Sequence, residues 1–305
     1  MKTPELNVVT GAFGYTGRYI ARRLLFAGQE VRTLTGHPER VNPFGDRVKA
    51  YPLDFGDADA LARNLSGATT LYNTYWIRFP RGNTTFDTAV ENTKTLVNAA
   101  KQAGVQRIVH ISITNPTPDS PLGYFRGKAL VEEAIIDSGL AYSIIRPTLI
   151  FGAEDVLINN IAWFLRKVSI FPVPGDGNYS VQPVHVEDVA EAAVAAAEQG
   201  ESGVLDCVGP EIYTYEEMIR LIARSVGSKA RIVHLPPNLA LLFSKIAGLL
   251  VRDVVLTRAE IDGLMAGLLV SDGPPNGQTS FSGWLEENGD TLGRRYASEM
   301  RRHYR

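Results

Sequence analysis

Tyr124 and Lys128 are separated by four positions in a segment with helical spacing, so both side chains project from one helix face. A free tyrosine hydroxyl, with a pKa of about 10, is a poor base at neutral pH. A neighbouring ammonium group favours the phenolate and lowers that pKa. The pair can therefore exchange a proton with a hydroxyl or carbonyl group of a bound molecule.

Two further hydroxyl groups precede this pair. Ser112 and Thr114 stand at the end of a predicted strand over residues 107–112, and ligands of parallel α/β sheets bind at the carboxyl ends of the strands. Either side chain could hold the oxygen atom on which Tyr124 acts. Both stay candidates for that role.

A glycine-rich turn lies between a predicted strand over residues 6–10 and a predicted helix, with the spacing G-x-x-G-x-x-G. Glycines permit a tight reversal and close approach of a phosphate, and the helix start offers free N–H groups. The turn therefore predicts a dinucleotide site, with the nicotinamide beside Tyr124. The expected cofactor contacts in the turn are Gly11, Phe13, Gly14, Tyr15, Thr16 and Gly17.

The residues after the second predicted strand bear on the choice between NADP and NAD. An acid there would bond the ribose 2′-hydroxyl, whereas a basic residue would accommodate a 2′-phosphate. Positions 36 and 37 carry no acid, and His37, Arg40 and Arg18 could supply positive charge. We therefore expect NADP, with NAD as the alternative because Glu39 lies in the same stretch.

Other polar and aromatic residues follow the third and fourth predicted strands. Asp54 could flank the adenine or simply cap a loop, and Asn73 closes the fourth strand at the expected ligand edge. Tyr75 and Trp76 come next, either as a wall of the ligand site or as core packing.

Strands and helices alternate along most of the chain. This alternation predicts an α/β fold with a doubly wound parallel Rossmann sheet. After residues 209–210 the pattern becomes predominantly helical. We therefore expect an NAD(P)-binding domain over residues 1–210 and a smaller, mainly helical substrate-binding lobe over residues 211–305, with residues 172–180 forming a loop.

Composition narrows the classes of partner. The 305 residues carry a net charge of −2 with interspersed signs, so no nucleic-acid surface is expected. The lone Cys207 excludes an internal disulfide, and the five scattered histidines lack metal-ligand spacing, so no metal is expected. The N-terminus has no secretory pattern, which favours the cytoplasm. Residues 239–251 form the longest apolar stretch, which Lys245 interrupts, and they are too short to span a bilayer. They predict a buried or amphipathic helix, with membrane or partner contact as the alternative.

These motifs together resemble the extended or atypical branch of the short-chain dehydrogenase/reductase superfamily. Residues 146–152 are similar to its R-P-x-x-x-x-G segment, and residues 184–190 to its h-V-x-D-v-a stretch. Within that branch the chain resembles NAD-dependent epimerase/dehydratase-like proteins, including those similar to the nucleotide-binding accessory subunit of respiratory complex I.

The resemblance implies roles for particular residues. Tyr124 would be the general acid/base and Lys128 would also bond the ribose. Asn92 would support an active-site water network, and Pro147 belongs to the cofactor-binding segment.

The implied activity is hydride transfer on a carbonyl or hydroxyl substrate, as simple carbonyl reduction or as epimerisation of a nucleotide sugar. The alternative is a non-catalytic, NAD(P)H-bound structural or redox-sensing protein. The expected partner is a small-molecule substrate. A homodimer is common in the family and is one expectation; association with a membrane or a complex is left open as an alternative, although it is not indicated.

Overall fold

The structure is a computed structural model that describes residues 4–303. The chain forms two compact units, one of residues 4–147 and 186–206, the other of residues 148–185 and 207–303. No helix in the described range is long and apolar enough to cross a membrane.

The first unit is built on a seven-stranded sheet. Its strands, numbered in chain order, are β1 (Leu6–Thr10), β2 (Glu30–Thr35), β3 (Val48–Pro52), β4 (Thr70–Asn73), β5 (Arg107–Ile111), β6 (Ala141–Pro147) and β11 (Gly203–Cys207). They stand in the order β11-β6-β5-β4-β1-β2-β3, and every pair from β6 across to β3 is parallel. The predicted Rossmann-type α/β fold is confirmed.

Helices cover this sheet. They are α1 (Thr16–Phe26), α2 (Ala58–Leu65), α3 (Phe86–Gln102), α4 (Gly123–Ile136) and α6 (Val186–Glu198), with a 3₁₀ turn at Gly45–Arg47. α2, α3 and α4 pack in sequence beside one another, and α1 packs on α6. Side-chain caps help to fix the starts: Asp57 accepts the Ala60 N–H at α2, and Thr85 accepts the Thr88 N–H at α3.

The strand order creates a switch point. β1 pairs with β2 on one side and with β4 on the other, so the connections after β1 and β4 leave in opposite directions. In open α/β sheets, ligands bind in the crevice beyond the carboxyl ends at such a point. A ligand site is therefore expected at the loops after β1, β4 and β5.

The second unit combines short strands with helices. The strands are β7 (Leu149–Phe151), β8 (Ile170–Pro174), β9 (Ser180–Val181), β10 (Pro183–His185), β12 (Tyr213–Thr214) and β13 (Arg231–Leu235); the helices are α5 (Leu157–Lys167), α7 (Tyr215–Ser225), α8 (Pro237–Val251), α9 (Arg258–Met265), α10 (Phe281–Asn288) and α11 (Glu299–His303). β7 pairs with β10 and β8 with β13 in parallel, and β9 pairs with β12 antiparallel. Phe151, Phe281 and Met218 lie in its buried core.

This division differs from the single predicted boundary after residue 210. Residues 148–185 leave the large sheet and pair with strands that come after residue 210, so they belong to the second unit. The predicted loop over residues 172–180 begins inside β8. These strands are two to five residues long, and Pro172 and Pro174 lie in β8, so no strand periodicity marks them in the sequence.

Candidate functional site

The glycine turn after β1 is closed by its own backbone. Gly11 N donates to Leu34 O at 2.8 Å, and Gly14 N donates to Gly11 O at 2.8 Å. Gly11 has a φ of +66°, in the left-handed region that glycine adopts without strain. A Cβ on Gly17 would lie only 2.5 Å from Gly11 O. The turn therefore needs glycine at both positions.

The start of α1 is open to an anion. Within the described chain no side chain caps this helix, whose N-cap is Tyr15, and its first turn, which begins at Thr16, holds no acid. The first N–H groups of a helix and its positive dipole end together bind phosphate. Arg18 Nη2 donates to Phe13 O at 3.2 Å and braces the turn. The residues present fit the pyrophosphate of a dinucleotide.

Thr10 ties the ends of β1 and β4 together. Its hydroxyl accepts the N–H groups of Thr74 at 2.7 Å and Tyr75 at 3.1 Å. Thr74 Oγ1 donates back to Thr10 O at 2.6 Å. The two loops that flank the switch point are thus fixed to each other.

His110 on β5 is held in one tautomer. Asn73 Oδ1 accepts the Tyr75 N–H at 3.1 Å, so the Asn73 amide nitrogen donates to His110 Nδ1, also at 3.1 Å. The ring proton therefore sits on Nε2, which is buried and has no hydrogen-bond partner in residues 4–303. Burial, and the nearby charge of Lys128, lower the pKa of His110 well below its usual value. The imidazole is neutral.

Lys128 is almost completely buried at the end of β5. Its ammonium donates to Ile111 O at 2.7 Å and lies 4.9 Å from the centroid of the Trp76 ring, a cation–π contact. Burial lowers the pKa of Lys128 to about 7, while the Glu132 carboxylate acts in the opposite direction. Lys128 is thus poised to change charge near neutral pH.

The hydroxyl of Ser112 is engaged within the protein. Its hydroxyl donates to the Glu132 carboxylate, which also accepts both Nε and Nη2 of Arg146 in a bidentate ion pair. Glu132 is buried, so these bonds satisfy a carboxylate that would otherwise be costly to hold in the protein. Ser112 therefore anchors α4 to the sheet.

Thr114 is the hydroxyl left without a partner. Its N–H donates to Pro147 O at 3.0 Å, which fixes the backbone after β5 and engages Pro147 through its carbonyl. Its Oγ1 is buried and makes no hydrogen bond within the described residues. Of the two predicted oxygen binders, Thr114 is the one with an unused hydroxyl.

Three aromatic rings surround the start of α4. Trp76 stacks on Phe86 with centroids 6.1 Å apart, and Tyr124 meets both edge-on at 5.9 and 6.0 Å. A Cβ on Gly127 would lie 2.7 Å from the Trp76 ring. The aromatic rings thus pack directly on the helix backbone, and Trp76 covers Lys128.

Asn92 contacts the wall of this site. Its amide donates to the Tyr75 hydroxyl at 2.9 Å, and burial raises the pKa of Tyr75. The amide is thus engaged by a side chain, whereas the resemblance implied a water network.

The residues predicted to flank the adenosine lie on the loops after β2 and β3. His37 N donates to Thr35 Oγ1 at 3.2 Å, and its ring lies 3.4 Å from the Glu39 carboxylate. Arg40 N donates to His37 O at 3.2 Å. Asp54 Oδ1 accepts the Gly56 N–H at 2.9 Å. This bond corresponds to the loop-capping role, which the sequence left open as the alternative to a contact with the adenine.

Sequence reasoning did not single out His110 or Glu132. Glu132 lies four residues after Lys128 and eight after Tyr124, so helical spacing already placed it on the helix face that carries both. His110 lies within β5, and no sequence motif marks it. No group of three or more metal-ligating side chains occurs among the described residues.

Comparison with known proteins identifies the cofactor that this chain's family binds. A family model described as NAD(P)H-binding matches residues 11–200. The chain belongs to the NAD(P)H-binding family. The predicted NAD(P) cofactor and the resemblance to NAD(P)-dependent reductases and epimerases are thereby confirmed.

Two relatives and one solved structure are similar to the chain. The chain is 27% identical over 283 residues to the Arabidopsis thaliana mitochondrial NADH dehydrogenase [ubiquinone] 1 alpha subcomplex subunit 9, covering 87% of this chain and 70% of the relative. It is 31% identical over 229 residues to (4-alkanoyl-5-oxo-2,5-dihydrofuran-3-yl)methyl phosphate reductase of Streptomyces griseus, covering 73% and 75%. Citrobacter sp. triphenylmethane reductase complexed with NADP(H) has the same fold, with a TM-score of 0.75 at 19% identity, covering 93% of this chain and 99% of that one.

The similarity to complex I subunits does not extend over their whole length. Three further subunits, from Neurospora crassa, Dictyostelium discoideum and Mus musculus, are matched over 65%, 64% and 59% of their length. The chain thus spans less than two thirds of each of these three relatives.

Proposed function

We propose that this protein is an NAD(P)H-dependent oxidoreductase that reduces a carbonyl group of a small molecule. The observation that carries the proposal is Lys128, a buried ammonium with one hydrogen bond in the described structure, to Ile111 O, four residues after Tyr124. Burying a charge costs folding free energy. A purely structural protein gains nothing from a buried ammonium group. An enzyme with a proton-transferring tyrosine gains a positive charge that stabilises the phenolate.

The proposed chemistry assigns a task to each side chain. Bound NAD(P)H would supply a hydride to the carbonyl carbon. Tyr124 donates its phenolic proton to the carbonyl oxygen, and the Thr114 hydroxyl donates a hydrogen bond to the same oxygen. Lys128 stabilises the phenolate that remains, because a nearby positive charge lowers the pKa of the phenol. The substrate becomes an alcohol, and a solvent proton restores Tyr124.

Carbonyl reduction is preferred here to nucleotide-sugar epimerisation. The support is the 31% identity to a reductase from Streptomyces griseus. Reduction also needs a single hydride transfer with one proton donor, which Tyr124 provides.

The test is NADPH oxidation with a panel of ketones, aldehydes and quinones, using wild type and Tyr124→Phe. We expect Tyr124→Phe to lower turnover by about 10² to 10⁴-fold, the range for loss of a general acid, while leaving NADPH binding unchanged. Phe125→Tyr, at the neighbouring position on α4, restores a hydroxyl off the active face and serves in the Tyr124→Phe background as the control. Turnover in Tyr124→Phe equal to wild type would refute the proposal.

A second candidate is a non-catalytic NAD(P)H-bound subunit of a larger complex. It is favoured by the similarity to complex I subunits and by Trp76, which covers Lys128. Tight, Gly17-dependent NADPH binding without any Tyr124-dependent oxidation would support this candidate over the enzyme.

We further propose that NADPH binds more tightly than NADH. His37 and Arg40 place basic groups after β2, and a Cβ at Gly36 would meet no atom within 4 Å. Gly36→Asp would add an acid that repels a 2′-phosphate and accepts from a ribose 2′-hydroxyl. We expect this variant to shift the ratio of the two dissociation constants towards NADH by about tenfold or more, as one lost charge contact of about 1.4 kcal/mol implies, with Gly36→Asn as the uncharged control. An unchanged ratio would contradict the assignment.

A further inference from the structure

The helix α8 has its large apolar side chains on the outside. Six of them, all exposed, are Leu239, Leu242, Phe243, Ile246, Leu249 and Leu250. At 100° per residue they occupy an arc of about 120° and extend over about 17 Å of the helix. Leu249 and Leu250 are 79% and 82% exposed. We call this surface the α8 stripe.

The opposite face of α8 carries small residues and packs tightly. Ala240 and Gly248 are its buried positions. A Cβ on Gly248 would lie 2.6 Å from Asp253 O, and Ser244 Oγ donates to Leu256 O at 3.2 Å. A helix of a globular protein normally turns its large apolar residues inward. In α8 the small residues are buried and the large apolar residues are exposed, so the α8 stripe does not pack into the core of its own unit.

The unpaired charges that α8 and the residue after it place beside the α8 stripe are positive, and the nearby Asp262 is paired with Arg258. Lys245 lies next to it on the helix, and Arg252 follows the C-terminus of α8; both are exposed, and neither pairs with an acid within residues 4–303. Residues 237–252 contain no acid. The next acid, Asp253, is buried and accepts the backbone N–H groups of Val254 and Glu299. The surface around the stripe therefore complements an anionic one.

We propose that α8 binds the surface of an anionic lipid bilayer. A helix with Leu, Ile and Phe on one face and unpaired Lys and Arg beside it lies in the plane of the interface, with the apolar face among the acyl chains. The cations meet the lipid phosphates. α8 is too short to span a bilayer, so the protein rests on the membrane. This inference does not depend on the proposed reductase activity.

The experiment is flotation of the full chain with vesicles of phosphatidylcholine, with or without phosphatidylglycerol. We expect wild type to float with the anionic vesicles and to bind neutral vesicles more weakly, with the difference falling as salt rises. Leu249→Glu/Leu250→Glu should weaken binding to both vesicles by about tenfold or more. Lys245→Glu/Arg252→Glu should weaken binding to the anionic vesicles alone.

The matched control is Phe26→Glu, which changes a 96% exposed apolar residue at the end of α1. Thermal unfolding and NADPH titration show that each variant is folded. The proposal is overturned if wild type floats with neither vesicle, or if Phe26→Glu loses binding as much as Leu249→Glu/Leu250→Glu does. It is also overturned if the α8 stripe instead holds two copies together. In that case wild type would be a dimer that binds no vesicle, and Leu249→Glu/Leu250→Glu would convert it to a monomer.

Discussion

The two hydroxyl residues after β5 have opposite surroundings. Ser112 is engaged by Glu132 and Arg146, whereas Thr114 has a buried hydroxyl with no partner in the described chain. Removing a hydrogen-bonded buried group leaves its partner unsatisfied, but removing an unpartnered one does not. The two positions should therefore respond to substitution in opposite ways.

We predict that Thr114→Val lowers kcat/KM for carbonyl reduction by about 10²-fold, as for loss of one oxygen-binding donor, without lowering the free energy of unfolding. Ser112→Ala should instead reduce that free energy by about 1–3 kcal/mol, because the Glu132 carboxylate loses a donor. Steady-state NADPH oxidation and urea unfolding of both variants measure this. A Thr114→Val enzyme with wild-type kcat/KM would remove Thr114 from the site.

The lowered pKa of Lys128 also predicts how stability depends on pH. The pKa is about 7 in the folded protein and 10.5 without its surroundings, so between these values the unfolded state holds the proton that the folded state has lost. The free energy of unfolding therefore rises with pH over this interval, by up to about 1.4 kcal/mol per pH unit. We predict that Lys128→Met removes about 2 kcal/mol of the rise between pH 7 and 9.

Urea unfolding of the cofactor-free protein at several pH values measures this rise. The difference between wild type and Lys128→Met isolates the lysine from other titrating groups. Parallel curves for the two proteins would show that Lys128 keeps an ordinary pKa.

At the scale of elements, the first unit was predictable and much of the second was not. β2, β3 and β4 lie where the sequence predicts the second, third and fourth strands. β7, β9 and β10 were missed because they have only two or three residues, and β8 was missed because it contains two prolines; each of the four pairs with a distant part of the chain. Local sequence carries no such pairing information.

The same limit applies to the site. Motif spacing brought Gly11, Gly17, Tyr124 and Lys128 onto one sheet edge, because strand ends and helix periods are local properties. It did not separate Ser112 from Thr114. That distinction depends on which hydroxyl meets Glu132, a contact across 20 positions between a loop and α4.

The junction of β1 and α1 gives a prediction at this scale. Because a Cβ on Gly17 would lie 2.5 Å from Gly11 O, Gly17→Ala forces the helix away from the turn. We expect a loss of about 1–3 kcal/mol of stability, typical of overpacking, and at least about tenfold weaker NAD(P)H binding. Gly203→Ala in β11, where a Cβ would meet nothing within 4 Å, is the control. Equal NAD(P)H affinities in the two variants would contradict the phosphate-cradle assignment.

At the scale of the whole molecule, every predicted cofactor and catalytic residue lies in the first unit, between Gly11 and Pro147. The chain leaves that unit after residue 147, returns for residues 186–206 and leaves again. A cut after residue 210 would therefore separate β8 from β13 and β9 from β12.

We predict that a chain ending at residue 210 leaves β8 and β9 without amide protection in hydrogen exchange, since their partner strands β13 and β12 are missing. A shortened chain in which a Gly/Ser linker replaces residues 148–185, and which ends at residue 206, should fold cooperatively and bind NAD(P)H. Protection of β8 and β9 in the longer fragment would show that the first 210 residues form a domain of their own.

The position of Trp76 gives the protein a built-in optical reporter. It is the single tryptophan of the first unit, since Trp163 and Trp284 belong to the second. Its indole lies against the Lys128 ammonium, whose charge changes near neutral pH. In a Trp163→Phe/Trp284→Phe background, the emission of Trp76 would follow both the titration of Lys128 and the arrival of a reduced nicotinamide, which absorbs where tryptophan emits. Fluorescence could then time cofactor binding before any substrate is known.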